Sequence, residues 1–407
     1  MQNKRKIFND PVYGFVTIPT ALAFDIIEHR YFQRLRRIAQ LGLTHYVYPG
    51  ALHTRFHHAL GAMHLMTETI EVLKSKGVEI TENEGEGVIC AILLHDIGHG
   101  PFSHALEHTL LPVHHEVLSV QLMRELNKEF GGKLDTAIAI FEDKHPKKFL
   151  HQLVSGQLDM DRMDYLNRDS YFTGVHEGII GYDRIIKMLN VVNNELVVEE
   201  KGIFSIEKFL VARRLMYWQV YLHKTVVSAE QMLIKALKRA KYLVSRGETF
   251  VISPALQALL ELGTDFAKIK LENTNILAFF TELDDIDILA ALKIFSLHKD
   301  IVLSTLSKGI IQRKLFKVEL SNLPPSSEHI DRIIAQLAET YQLEEKEAKL
   351  LVIEATETNR TYDTGNDEIK ILYKSGQVLP MSQTFDYELS SHLIAKYFLC
   401  YPKQNGV

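Results

Sequence analysis

Cysteine is nearly absent from this chain. Cys90 and Cys400 are the only two in 407 residues, which excludes a disulfide framework and points to a reducing, cytoplasmic setting. Cys90 lies in an apolar run and reads as a small buried hydrophobe. Long hydrophobic runs are missing too, since no uncharged apolar stretch reaches the ~18 residues of a membrane span. The basic start, Met1-Gln2-Asn3-Lys4-Arg5-Lys6, is followed by no apolar segment of the kind a signal peptide carries. Nor is there an excess of positive charge: the formal net charge is -5. That argues against a general nucleic-acid coat, yet leaves room for a local basic pocket around a phosphorylated small molecule. Internal repeats and low-complexity tracts are absent.

What is present is helical periodicity. Leu60, Met63, Met66, Ile70 and Leu73 recur at spacings of three and four, with Gly77 as a stop. A second helix is predicted from about Val88 to Asp96, and a third carries Leu158, Asp161, Tyr165 and Arg168. A long helix, interrupted or not, is predicted from Ser205, as its N-cap, to about Val244. Val12 to Ile18 reads as a short strand or hairpin, and Val191 to Val198 as a hairpin around Asn193-Asn194. After residue 300 strand signals appear at Leu315–Leu320, Lys349–Ile353 and Ile369–Tyr373, with a helix at 328–341. The expected architecture is mainly α, with small β-hairpins. A helical catalytic region would span 1–300 (core motifs at 50–170, long helix at about 205–244). A C-terminal α+β lobe would span 301–407.

The densest chemistry lies in Leu93-Leu94-His95-Asp96-Ile97-Gly98-His99-Gly100, where an apolar helix opens into a glycine-bearing loop. Imidazole and carboxylate are both ligands for first-row metals. His58 upstream and Asp161 downstream complete a candidate quartet, His58, His95, Asp96 and Asp161, on three predicted helices. Two imidazoles and two carboxylates suit Mn, Fe, Zn, Ni or Mg, and the sequence does not choose among them. Taken singly, each of these residues is more often a cap or a solvated side chain. As a set they point to one divalent metal ion. His99, His104 and His115-Glu116 follow within a short distance, and histidines beside a metal can hold phosphate oxygens or move protons. His57, His64 and His114 read as structural or surface residues. Arg55, Arg162 and Arg213, with Tyr165, Tyr217 and Tyr221, supply donors of the kind a phosphate tail needs.

The order of these segments resembles the HD-domain phosphohydrolase superfamily, and within it the deoxynucleoside triphosphate triphosphohydrolases. The likeness covers about residues 7–245. It runs through Ile7-Phe8-Asn9-Asp10-Pro11, Phe32-Gln33-Arg34-Leu35-Arg36, Tyr46-Val47-Tyr48-Pro49-Gly50-Ala51 and Arg55-Phe56-His57-His58. It continues through His95 to His104 and Asp159-Met160-Asp161-Arg162-Met163-Asp164-Tyr165. The resemblance implies that His58, His95, Asp96 and Asp161 hold the metal. It makes His115, with Glu116 beside it, the acid for the leaving 5′-oxygen, and gives His104 and Glu107 the attacking water. The family often has Asp at the place of Glu107. Arg55, His99, Arg162, Tyr165 and Arg213 would contact the triphosphate, where the family often has Lys at Arg162. Gln40, Leu41, Asp169 and Tyr221 would frame the deoxyribose, with Leu41 and Tyr221 excluding a 2′-hydroxyl.

The implied reaction converts a dNTP, dGTP included, to deoxynucleoside and inorganic triphosphate. Some relatives are tetramers activated by a nucleotide at a second site. Gln33 and Arg36 match residues used there, and Glu28 stands where an Asp reads guanine. A homo-oligomer, dimer or tetramer, follows from the same likeness, while membrane and nucleic-acid partners are not expected. The rival readings are another HD hydrolase (a 5′-nucleotidase or phosphodiesterase) and a non-catalytic nucleotide sensor.

Overall fold

The computed structural model describes residues 6–102, 106–107, 109–262, 274–359, 362, 368–384 and 394–403. It opens with an antiparallel hairpin, β1 (Ile7–Asp10) and β2 (Gly14–Thr17). Of the span Val12–Ile18, expected as a short strand or hairpin, Val12 and Tyr13 fall in the turn and the hairpin begins earlier, at Ile7. The reason is Asp10, whose Oδ1 accepts from the backbone N–H groups of Val12 (2.9 Å) and Tyr13 (3.0 Å). Helix α1 (Ala21–Glu28) follows, then α2 (Arg55–Ser75), which begins with a capping box between Thr54 and His57. Its face of Met63, Met66, Ile70 and Leu73 is buried, and Gly77 follows at φ +85°, a left-handed position that favours glycine.

Helix α3 (Glu82–Leu94) starts six residues before the expected Val88. Its polar first turn hides the apolar period, but Thr81 and Glu84 form a capping box that sets the start. α4 (His115–Glu129) and α5 (Met160–Thr173) come next, α5 with Asp159 as N-cap and Gly174 at φ +73° as stop. The expected hairpin is β3 (Leu189–Val192) and β4 (Glu195–Glu199), turning through Asn193 and Asn194 at positive φ.

The long predicted helix is broken. α6 (Ile203–Met216) passes into a π turn over Tyr217–Tyr221, and α7 (Lys224–Ser245) restarts behind the cap of His223. Ser205 is not the N-cap: a 3-10 turn, Glu200–Gly202, leads straight into Ile203, and Gly202 caps it. Then come α8 (Asp285–Phe295), α9 (Ile301–Ile311), β5 (Lys317–Ser321) and α10 (Ser327–Tyr341). The strand expected at Lys349–Ile353 is a 3-10 turn over Lys349–Leu351, followed by β6 (Ile353–Asn359). A short apolar run does not by itself distinguish the two. β7 (Lys370–Leu372), β8 (Val378–Pro380) and β9 (Ile394–Tyr401) follow, and shorter helices lie between the elements named.

The result is a mainly α fold with small sheets. β5, β9 and β6 form one antiparallel sheet, in that order. β7 instead pairs in parallel with β4, so the C-terminal segment adds strands to a hairpin some 170 positions earlier. The anticipated boundary at 300/301 falls between α8 and α9, which pack on each other, and α9 also packs on α7. No helix among the described residues is long and apolar enough to cross a membrane.

Candidate metal centre and phosphate cavity

α2, α3 and α5 bring three ligand groups to one point. His58 Nε2 lies 3.3 Å from His95 Nε2 and 3.0 Å from Asp161 Oδ1, and His95 Nε2 lies 3.4 Å from that same oxygen. Asp96 stands at the edge of this triad. Its Oδ1 is 3.3 Å from His95 Nε2, and its Oδ2 pairs with Arg55 and lies 3.8 Å from His58. The donor set of His58, His95 and Asp161, two imidazole nitrogens and a carboxylate oxygen at mutual distances of 3.0–3.4 Å, fits a single divalent cation, with Asp96 beside it.

Each ring is turned by its other nitrogen. His95 Nδ1 donates to the Ile92 carbonyl at 2.6 Å, so Nε2 carries the lone pair. His58 Nδ1 donates to Asp164 Oδ2 at 2.7 Å. Asp164 is fully buried and also takes Arg168 Nε (2.9 Å) and Nη2 (3.0 Å), while Arg168 Nη1 reaches Asp10 at 2.7 Å. The row Asp10–Arg168–Asp164–His58 thus runs from the first hairpin to the metal centre. Gly61 makes room for it, since a Cβ there would meet Asp164 Oδ1 at 2.0 Å and Arg168 Nη2 at 2.1 Å. Burial disfavours charge on His58, yet hydrogen bonds to Asp161 and Asp164 push its pKa up to about 10. Burial likewise opposes the charge of Asp161, but His58 and His95 hold its carboxyl well below the usual range.

The loop after Asp96 is held from beneath. Buried Arg34 donates to the carbonyls of Ile97 (3.0 Å), His99 (2.8 Å) and Leu283 (3.1 Å). Asp285 accepts from the N–H groups of Ala39 and Phe102, both at 2.8 Å, and burial pushes its pKa up to about 6. Gly98 packs against α4, where a Cβ would lie 2.2 Å from the His115 carbonyl. That contact sets His99 face to face with His115, their ring centroids 3.9 Å apart. Burial and Arg55 together keep the His99 pKa well below its ordinary value, despite Asp96 3.3 Å away. Glu107 Oε1 accepts from both the backbone N–H (2.9 Å) and Nδ1 (3.0 Å) of His115.

These groups open onto a cavity of about 620 Å³. Arg55, Asp96, His99, His115, Asp161, Tyr165 and Arg213 line one part, and Gln40, Leu41, Asp169 and Tyr221 another. Asp169 is clamped by His53 Nε2 at 2.7 Å and the Tyr221 hydroxyl at 2.8 Å. Tyr221 sits at the end of the π turn, so the irregular backbone aims it.

Not every expected residue is in this space. Glu116 is exposed, 3.8 Å from His114, and does not line the cavity. Arg162 does not line it either and donates instead to the Gly156 carbonyl, because Asp159 and that carbonyl draw it to the start of α5. His104 lies outside the described residues. Glu28, Gln33 and Arg36 sit elsewhere. Glu28 pairs with Lys6 at 3.2 Å, Gln33 Oε1 accepts from Arg36 Nε at 2.9 Å, and Arg36 stacks over Phe56.

Sequence reasoning missed Glu230, Gln231 and Glu357, which also line the cavity. Burial and the neighbouring Glu357 push Glu230 up to about 8. Polar residues at 230 and 231 inside the apolar stripe of α7 were the available signal. Glu357, on β6, carried none.

The comparisons with known proteins agree with this geometry. The HD domain model matches residues 55–169, and the HD associated region model matches 180–249. The uncharacterised protein YwfO of Bacillus subtilis is 34% identical over 322 residues, 77% of this chain and 72% of its own. A phosphohydrolase crystal structure from Bacteroides thetaiotaomicron is 52% identical with a TM-score of 0.93, covering 98% of this chain and 100% of that one. The chain therefore belongs to the HD-domain phosphohydrolase family. The Dictyostelium discoideum homologue of the deoxynucleoside triphosphate triphosphohydrolase SAMHD1 is 32% identical over 255 residues, 58% of this chain. The chain spans about half of that relative's length (49%).

Proposed function

We propose that this hydrolase cleaves deoxynucleoside triphosphates to deoxynucleoside and inorganic triphosphate. One observation carries the reading. The candidate ligands Asp96 and Asp161, the cations Arg55 and Arg213, and the frame of Gln40, Leu41, Asp169 and Tyr221 line a single cavity of about 620 Å³. His58, His95, Asp96 and Asp161 would hold the metal, which when bound supplies polarisation of the α-phosphate and a more acidic water. Arg55, His99, Tyr165 and Arg213 neutralise and orient the tail. Arg162, outside the described cavity, is not needed for this. Water attacks the α-phosphorus, the bond to the 5′-oxygen breaks, and His115 gives that oxygen its proton while Glu107 holds the ring. Leu41 and the Asp169–Tyr221 pair close around the sugar, leaving no room for a 2′-hydroxyl. In this reading residues 1–300 carry the chemistry, and 301–407 contribute Glu357 to the cavity wall.

The test is product analysis. Wild type and Asp96→Ala are incubated with Mn or Mg and each dNTP, singly and mixed. Triphosphate and deoxynucleoside from wild type alone are expected. Monophosphate and pyrophosphate as products would overturn the cut at the α-phosphorus. Activity confined to the mixture would support an activating nucleotide at Glu28, Gln33 and Arg36, and light scattering tests the homo-oligomer that belongs with it.

A further inference from the structure

We infer that Glu107, His114 and His115 form a second cation site, with the chemistry of a zinc ion, whose occupancy silences the hydrolase. His114 Nε2 lies 3.6 Å from Glu107 Oε1, and His115 Nδ1 lies 3.0 Å from that oxygen. The three ligand atoms fall within 4.8 Å of one another. Zinc bonds of about 2.0–2.2 Å at tetrahedral angles place neighbouring ligands roughly 3.4 Å apart. The two separations, 3.0 and 3.6 Å, lie close to the 3.0–3.4 Å among His58, His95 and Asp161.

Two imidazoles and one carboxylate are a common zinc donor set, with a fourth position left for water. Solvent access exists on one side only: the His114 side chain is 49% exposed, Glu107 13% and His115 17%. Glu107 is already oriented by the backbone N–H of His115. His114 Nδ1 lies 3.8 Å from the exposed Glu116 Oε2, beyond hydrogen-bond distance but near enough to add negative charge beside the ring. The positive end of α4 opposes a cation here, and the carboxylates of Glu107 and Glu116 offset it.

The consequence for function rests on His115 as the proton donor. Zinc on Nδ1 displaces the proton from that atom and releases it to solvent. A ring with zinc on one nitrogen and hydrogen on the other is no longer an imidazolium, so it has no acidic proton to give the leaving oxygen. His114, which does not line the cavity, would then be an inhibitory ligand.

Zinc itself is the probe. Full-length protein is equilibrated with zinc and freed of excess, and bound metal is counted per chain. Wild type is expected to hold two ions, His114→Ala one, Asp161→Ala one, and His114→Cys two again. An equal count in wild type and His114→Ala overturns the site. In the second arm, zinc is added to metal-loaded enzyme turning over a dNTP. Wild type is expected to slow at least ~10-fold while His114→Ala keeps its unchanged basal rate. Equal slowing of both overturns the inhibitory role. If no dNTP is cleaved at all, the functional reading fails while the metal count still decides the site.

Discussion

Each imidazole of the metal centre has one nitrogen committed before any ion arrives, His95 to a carbonyl and His58 to Asp164. The second commitment is the more consequential, because Asp164 is itself charge-paired with Arg168. Asp164→Asn keeps an acceptor but loses that charge. Metal affinity is expected to fall about 10–100-fold, read by competition with a chelating dye. An unchanged affinity would reduce Asp164 to a packing residue. Glu230 offers a test of a different kind. Its pKa is raised in the folded protein to about 8, from an ordinary value of 4.5. The folded state therefore holds the proton more tightly, and this contribution to stability, complete below pH 4.5, is lost as pH rises through about 8. Glu230→Gln should gain on wild type in denaturant melts at pH 9 compared with pH 5. A constant difference would contradict the raised value. None of Asp164, Arg34, Asp285 and Glu357 was assigned a role from sequence. Arg34 and Asp285 find their partners on other elements, and Asp164, though paired with Arg168 one turn away, turns its role on His58 of another helix.

Among the elements, those with local chemistry were legible. The β3–β4 hairpin follows from Asn193-Asn194, and α2 from its apolar period. Starts and breaks were harder. α3 begins in a polar turn, and α6 gives way to a π turn that no periodicity announces. The first hairpin matters beyond its size, since Asp10 closes its turn and also neutralises Arg168. Asp10→Ala leaves one buried guanidinium short of a partner, a loss of about 3–5 kcal/mol. Hydrogen exchange should show residues 7–17 losing protection first, with the C-terminal sheet unaffected. Uniform loss across the chain would mean the hairpin is not a separate unit.

At the scale of the molecule, the cavity wall is assembled from stretches as distant as Gln40 and Glu357. Arg239 fastens the C-terminal segment to α7, pairing with Asp300 and Glu347, both at 2.6 Å. Because the candidate metal ligands come from three helices, an ion held by them would bind the folded chain and not the unfolded one. Chelation should lower the melting temperature, and re-addition should restore it. A free ion at ~100 times its dissociation constant contributes about 2.7 kcal/mol. A melting temperature blind to chelator would argue against the centre.

The chain's own order of residues determined the helical class, the absence of disulfides and the candidate metal ligands His58, His95 and Asp161. Adjacent His95-Asp96, the loop after it and the apolar periods are local signals, and local signals survive in one dimension. Tertiary structure decided which cations face the cavity. Arg55 and Arg213 turn into it while Arg162 turns to Gly156. It also decided that β6 would bring Glu357 to the wall, and that Glu107, His114 and His115 would meet. Those outcomes depend on competition among partners far apart in sequence, settled only when the helices pack and each buried charge takes the nearest group that can satisfy it.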